Sequence, residues 1–137
     1  MPVESLAPLI LALEDDAAIR AVYAELLADE GFRIVTWGDV PAAGTVAVAR
    51  LAPDLIMLDL VIGGQAAGWT LLAALHADPD TIDIPILVLT ASATLVRERA
   101  AELDAWGCGV VMKPFDVDEL IARVHECLAQ GRDRAAS

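Results

Sequence analysis

Five short runs dominate this chain, and most are apolar at every position rather than at every second one. They are Leu9-Ile10-Leu11-Ala12-Leu13, residues 32–37, Leu55-Ile56-Met57-Leu58, Ile86-Leu87-Val88-Leu89 and Gly109-Val110-Val111-Met112. A strand that is apolar on both sides needs cover on both faces, which a parallel sheet between two helical layers provides. Helical periodicity fills the intervals. Ile19, Val22, Tyr23, Leu26 and Leu27 follow the i, i+3, i+4, i+7, i+8 spacing and predict an amphipathic helix closed by Gly31. An alanine-rich segment over 41–51 and a shorter one over 69–77 predict two more helices. A fourth, over 94–105, has a weak stripe at Val96, Ala100 and Leu103. Asp116 as N-cap and Glu119 three residues later form an acidic capping box for the last helix, with Val117, Leu120, Ile121, Val124 and Leu128 as its apolar stripe. Five alternations of strand and helix predict an α/β, doubly wound parallel sheet.

At 137 residues the chain is long enough for one domain with its own core. Residues 1–7 read as a lead-in, 8–130 as the domain and 131–137 as a short polar tail. The hydrophobic fraction of 57% looks membrane-like, but alanine supplies much of it. No apolar run approaches the roughly 20 residues that span a bilayer. No cation precedes Arg20, so the N-terminus lacks the charged region of a signal peptide. Cys108 and Cys127 are too few for a disulfide framework and form no metal-type cluster. A cytoplasmic chain without membrane contact is expected. The net charge of −12 argues against binding to a phosphate backbone, so no nucleic-acid partner is expected.

Ligands of open α/β sheets bind outside the carboxyl ends of the strands, and the chemically versatile groups here fall at those ends. Glu14-Asp15-Asp16 follows the first strand, Asp59 the third, Thr90 the fourth and Lys113 the fifth. Lys113 is the one lysine among nine cationic side chains, in a chain that otherwise uses arginine. An ammonium is a compact point charge that reaches a single oxygen closely, where arginine presents a planar fork. Clustered carboxylates repel unless a cation joins them, and few carboxylates with retained water suit Mg²⁺. Acid, metal, hydroxyl and ammonium together point to phosphoryl chemistry. His76 and His125 fall in predicted helices, away from any nucleophile.

With these motifs in order along residues 8–128, the chain resembles the receiver domains of two-component response regulators. The matching elements are Glu14-Asp15-Asp16, Leu58-Asp59-Leu60, Leu89-Thr90-Ala91 and Lys113-Pro114-Phe115. The resemblance implies a flavodoxin-like sheet of order 2-1-3-4-5. It implies that Asp59 accepts a phosphoryl group from a histidine kinase or histidine phosphotransfer protein. Asp15 and Asp59 would ligate Mg²⁺ directly, Glu14 through water and Val61 through its backbone carbonyl. Thr90, Lys113 and the Ala91 N–H would contact the phosphoryl group, and Asp16 would cap the first helix. A cis Lys113-Pro114 peptide is also implied. A stand-alone receiver is expected, signalling to an unknown downstream protein. It would dock, or pair with a second copy, through the face of helix four, strand five and helix five, near Val96, Ala100, Val110 and Val124.

Three departures from the family pattern surround the site. Val110 stands three residues before the lysine where an aromatic ring is usual, and a β-branched side chain has few rotamers to switch between. Gly63-Gly64 replaces a proline after the aspartate, and Gly68 comes nine residues after Asp59 rather than eight. A looser, longer loop is expected there. Gly107 precedes Lys113 by six residues rather than seven. Trp106 beside that turn serves either as a partner anchor or as cover for a helix end. A degenerate receiver that binds partners constitutively is the alternative. A metal-dependent phosphohydrolase is disfavoured because Val61 stands where such enzymes place a second aspartate. A flavin-binding module is disfavoured because no Ser/Thr/Gly-rich loop follows the first strand.

Overall fold

The computed structural model describes residues 6–136, with side chains described through Gly131. Five strands form one parallel sheet: β1 (Leu9–Leu13), β2 (Arg33–Trp37), β3 (Leu55–Leu58), β4 (Ile86–Thr90) and β5 (Gly109–Met112). Their order is β2-β1-β3-β4-β5, every neighbouring pair parallel, as the flavodoxin-like expectation required. Between and after them run α1 (Ala17–Asp29), α2 (Gly44–Leu51), α3 (Ala67–Ala77), α4 (Ala93–Glu98), α5 (Ala100–Ala105) and α6 (Val117–Ala136).

The alternation of strand side chains divides the core in two. Ile10, Ala12, Leu55, Met57, Leu87 and Leu89 face one layer, with Tyr23 and Leu27 of α1 and Leu120 and Val124 of α6. Leu11, Leu13, Ile56, Leu58, Ile86 and Val88 face the other, with Val48 of α2, Leu72 and Leu75 of α3 and Leu103 of α5. Each enclosed Leu, Ile or Val contributes about 1.5–3 kcal/mol of burial. Polar groups are thereby driven off both faces to the strand ends.

Several expectations need correction. The single helix over 94–105 is two short helices with a break at Arg99, whose φ is −110°. Ala100 is exposed, and Leu95 and Val96 pack instead beside Leu103. Val22 and Val117, assigned to buried stripes, are 49% and 45% exposed. Val124 lies wholly in the core, beneath the expected docking face rather than on it. The segment from Gly131, expected as a tail, continues α6 to Ala136. Gly131 backs onto Pro85, where an added Cβ would come within 2.9 Å of the proline ring. Residues 1–5 of the lead-in and Ser137 lie outside the described residues.

Gly68, in the first turn of α3, presses against the backbone that follows β3. A Cβ there would lie 1.8 Å from the Asp59 carbonyl oxygen, far inside van der Waals contact. The Gly68→Ala protein is expected to lose about 3 kcal/mol or more, read from denaturant unfolding. Tyr23 stacks on Phe115 at 6.1 Å, and its buried hydroxyl has no hydrogen-bond partner among the described residues. Burial pushes the phenol up to about 12. In the unfolded chain it ionises near pH 10, so its contribution is complete below pH 10 and is lost as pH rises toward 12. Tyr23→Phe is expected to stabilise the fold by about 1 kcal/mol at pH 7. It should also flatten that alkaline loss, as measured by unfolding at pH 7 and across the alkaline range.

Candidate phosphoacceptor site

Register brings the strand ends to one rim. Leu13 is level with Leu58, and Leu58 with Val88, so Glu14 and Asp59 emerge side by side. Thr90 is level with Met112, and the Lys113 amide donates to the Thr90 carbonyl at 2.9 Å. Lys113 therefore leaves β5 directly opposite the acidic ends of β1 and β3.

Its ammonium donates to Asp59 Oδ2 at 2.8 Å and also to Glu14 Oε1. Glu14 is 2% exposed, and its second oxygen, Oε2, accepts the Asp16 N–H at 3.1 Å. Burial works against the lysine charge, but the hydrogen bonds it donates to Asp59 and then to Glu14 outweigh it and hold Lys113 above its ordinary range. Pairing of Lys113 with Asp59 accords with the expectation that Lys113 contacts the phosphoryl group carried there. Pairing with Glu14 does not: a residue expected near the metal through water is, in this arrangement, occupied by the ammonium and a backbone amide.

Asp15 faces the other side of the cluster. Its Oδ2 accepts the Gly63 N–H at 2.8 Å. That bond first, and Glu14 second, hold the carboxyl below the ordinary aspartate range. The loop that reaches it is tight, not loose. Gly63 and Gly64 sit at φ 63° and 74°, and Ile62 and Gln65 exchange both backbone hydrogen bonds across them, at 2.9 and 3.2 Å. Two successive positive φ values are the pattern of a type I′ turn, which strongly favours residues such as glycine. Asp16 caps α1 through the Ala18 and Ile19 amides at 2.9 and 3.1 Å, as expected.

Thr90 is 1% exposed, and its hydroxyl oxygen accepts the Ser92 N–H at 3.1 Å, which leaves the hydroxyl proton for donation. Ala91 follows on the exposed rim beside Lys113. The Lys113-Pro114 peptide is cis. Val110 is half-buried in the layer of α3 and α5. The Trp106 ring stacks on Trp69 at 5.4 Å and on His76 at 4.5 Å, both on α3, and the Arg99 guanidinium lies over Trp69 at 4.8 Å.

Sequence reasoning missed Arg20. Its Nη1 donates to the carbonyls of Glu14 at 2.8 Å and Asp15 at 3.0 Å. The signal was available in its position, as the first cation of the chain and one turn into the helix that follows the acidic trio.

Among the described residues, no three His, Cys, Asp or Glu side chains converge in metal-binding geometry. The donors still suit Mg²⁺, which binds through one or two carboxylates and keeps several waters. Asp15 and Asp59 are anchored to one loop two residues apart, Asp59 Oδ1 by the Val61 N–H at 3.0 Å and Asp15 by Gly63. Two hard oxygen donors are thus fixed by amides of the same loop.

A family model described as the response regulator receiver domain matches residues 10–125. The DNA-binding dual master transcriptional regulator RpaA of Synechocystis sp. is 36% identical over 121 residues, covering 88% of this chain and 49% of that protein. The DNA-binding response regulator MtrA of Mycobacterium tuberculosis is 36% identical over 127 residues, 93% of this chain and 53% of that protein. The chain thus spans about half the length of these curated relatives. A putative response regulator from Chloroflexus aurantiacus superposes with a TM-score of 0.76 at 26% identity, covering 90% of this chain and 98% of its own. The chemotaxis protein CheY4 of Vibrio cholerae, at 24% identity and a TM-score of 0.75, shares the fold over 88% of this chain and 98% of its own. The ordered strand-end groups, the sheet order and the match over residues 10–125 show that this chain belongs to the response regulator receiver domain family.

Proposed function

We propose that this receiver takes a phosphoryl group on Asp59 from the phosphohistidine of a histidine kinase or phosphotransfer protein and changes its protein-binding face in response. The observation that carries the reading is the Asp59 carboxylate, 12% exposed in its side chain and held at 2.8 Å by the chain's one lysine. A carboxylate oxygen of Asp59 attacks phosphorus, an O–P bond forms, and the P–N bond to the donor imidazole breaks. The bonding pair stays on that nitrogen, and a donor protonated on its other nitrogen leaves as neutral imidazole. Lys113 would follow the charge from the carboxylate to the phosphoryl oxygens, while the Thr90 hydroxyl and the Ala91 N–H would donate to them. Asp15, Asp59 and the Val61 carbonyl would hold Mg²⁺, with Glu14 behind them, and the ion would neutralise charge on the equatorial oxygens. Slow loss of the phosphoryl group to water ends the signal, and no external substrate is turned over.

RpaA and MtrA are named as DNA-binding proteins, but this span is strongly acidic, so its partners are proteins rather than nucleic acid. Among the described residues no helix is long and apolar enough to cross a membrane, and the proposed site of action is the cytoplasm. Val96, Val110 and the exposed Met112 lie toward the α4–β5–α6 side, where a downstream protein or a second copy would dock. Val110 also supports the alternative of a degenerate receiver that binds partners constitutively.

Incubation with a small acyl phosphate or phosphoramidate and Mg²⁺ is expected to add one phosphoryl group, seen by intact mass, and Asp59→Asn should abolish it. A wild-type chain that takes no label would favour the constitutive binder. Because Lys113 is held above its ordinary range, its ammonium and its stabilising contribution are complete below the usual lysine value and are lost only at higher pH. The initial labelling rate should therefore show no inflection from Lys113 between pH 7 and about 10.4. A lysine-type fall inside that window would contradict the Asp59–Lys113 pairing.

A further inference from the structure

Arg20 does not touch any group that the phosphoryl chemistry uses, yet it binds the backbone of two residues that supply it. One nitrogen, Nη1, donates to the carbonyls of both Glu14 and Asp15. The guanidinium is seated from outside by Gly38, just after β2, where a Cβ would come within 2.8 Å of Nη1 and 3.1 Å of Cζ. The segment it grips is tied at three more points: the Glu14 N–H donates to the Trp37 carbonyl at 3.1 Å, the Arg20 N–H to the Asp16 carbonyl at 2.9 Å, and Asp16 caps α1. With both carbonyls drawn toward the guanidinium, the peptide planes around Asp15 are fixed. That leaves its carboxylate on the Gly63 side and the Glu14 carboxylate on the Lys113 side.

We infer that Arg20 is a positioning residue for the cation site: seated against Gly38, it fixes the Glu14-Asp15 backbone and so orients the Asp15 carboxylate, which with Asp59 would hold Mg²⁺. This deepens the phosphoacceptor reading and rests on it. Groups behind a metal's ligands that set their orientation are each worth about 10–100-fold in affinity. The sign of the effect separates positioning from mere charge. A guanidinium acting only as a nearby positive charge repels a divalent cation, so its removal would tighten binding; a guanidinium that aims a ligand weakens binding when removed.

Gly38→Ala supplies an independent perturbation. The three atoms nearest its new methyl all belong to the flexible end of Arg20, so the guanidinium is pushed from its seat while the charge stays in the molecule. The test is calorimetric titration of MgCl₂ into the wild type, Arg20→Gln, Arg20→Lys and Gly38→Ala proteins. Their thermal unfolding and their labelling rate by acyl phosphate at saturating Mg²⁺ are recorded alongside. The expected result is roughly 10-fold or greater weakening of Mg²⁺ binding in Arg20→Gln. Gly38→Ala should weaken in the same direction, and Arg20→Lys, whose ammonium reaches one carbonyl, should recover part of the loss. The labelling rate at saturating Mg²⁺ should stay within about twofold of wild type for the folded variants. Unchanged or tighter binding in Arg20→Gln and Gly38→Ala would overturn the inference while leaving the phosphoacceptor reading intact. A wild-type protein that neither binds Mg²⁺ nor takes label would overturn both.

Discussion

Two carboxylates at the ends of neighbouring strands share a single ammonium, and most of the rim is arranged around that fact. Glu14 is almost fully enclosed and Asp59 nearly so; without Lys113 they would stand as close like charges in a poorly solvated place. The sheet creates the difficulty and also resolves it. Burial of both faces leaves only the strand ends for polar groups, and the parallel register that puts Glu14 beside Asp59 also delivers Lys113 opposite them. The remaining contacts sort the acids by task. Asp16 is used by its helix, Glu14 by the lysine and a backbone amide, and Asp15 is held toward the glycine turn.

That turn alters how the departures from the family pattern are to be understood. Gly-Gly in place of proline removes one kind of rigidity and installs another, because two residues at positive φ close a hairpin with reciprocal hydrogen bonds. The Gly63 amide is then presented to Asp15 by a defined structure. Gly68 completes the arrangement by letting α3 start directly against the Asp59 carbonyl. The loop from 59 to 68 is thus pinned at both ends and in its middle.

The fold was largely legible in the sequence because continuous apolar strands carry their own message about cover on both faces. So were the strand-end groups, since Asp59, Thr90 and Lys113 each end an apolar run. What stayed hidden depends on contacts between distant segments. Gly131 reads as a helix stop in isolation, but its missing side chain lets α6 pass against Pro85. The break at Arg99 occurs where that side chain reaches across to Trp69, and no local periodicity announces it. The tie between Glu14 and Lys113 joins residues 99 positions apart and follows from register alone. Glycine pairs favour both slack loops and hairpin turns, and the hydrogen bonds that decide between them belong to the folded state.

The stacked indoles of Trp69 and Trp106 have a consequence in optics. At 5.4 Å and 13° from parallel the rings are close enough for their electronic transitions to interact, so the optical signal of the pair depends on how the two indoles are set against each other. Trp69 sits directly after the glycine that abuts the Asp59 carbonyl, and Trp106 closes α5 just before β5. The strength of that coupling is therefore a ruler between α3 and the end of α5. A slide of either helix would change that geometry, and with it the circular dichroism of the native protein, with no label attached.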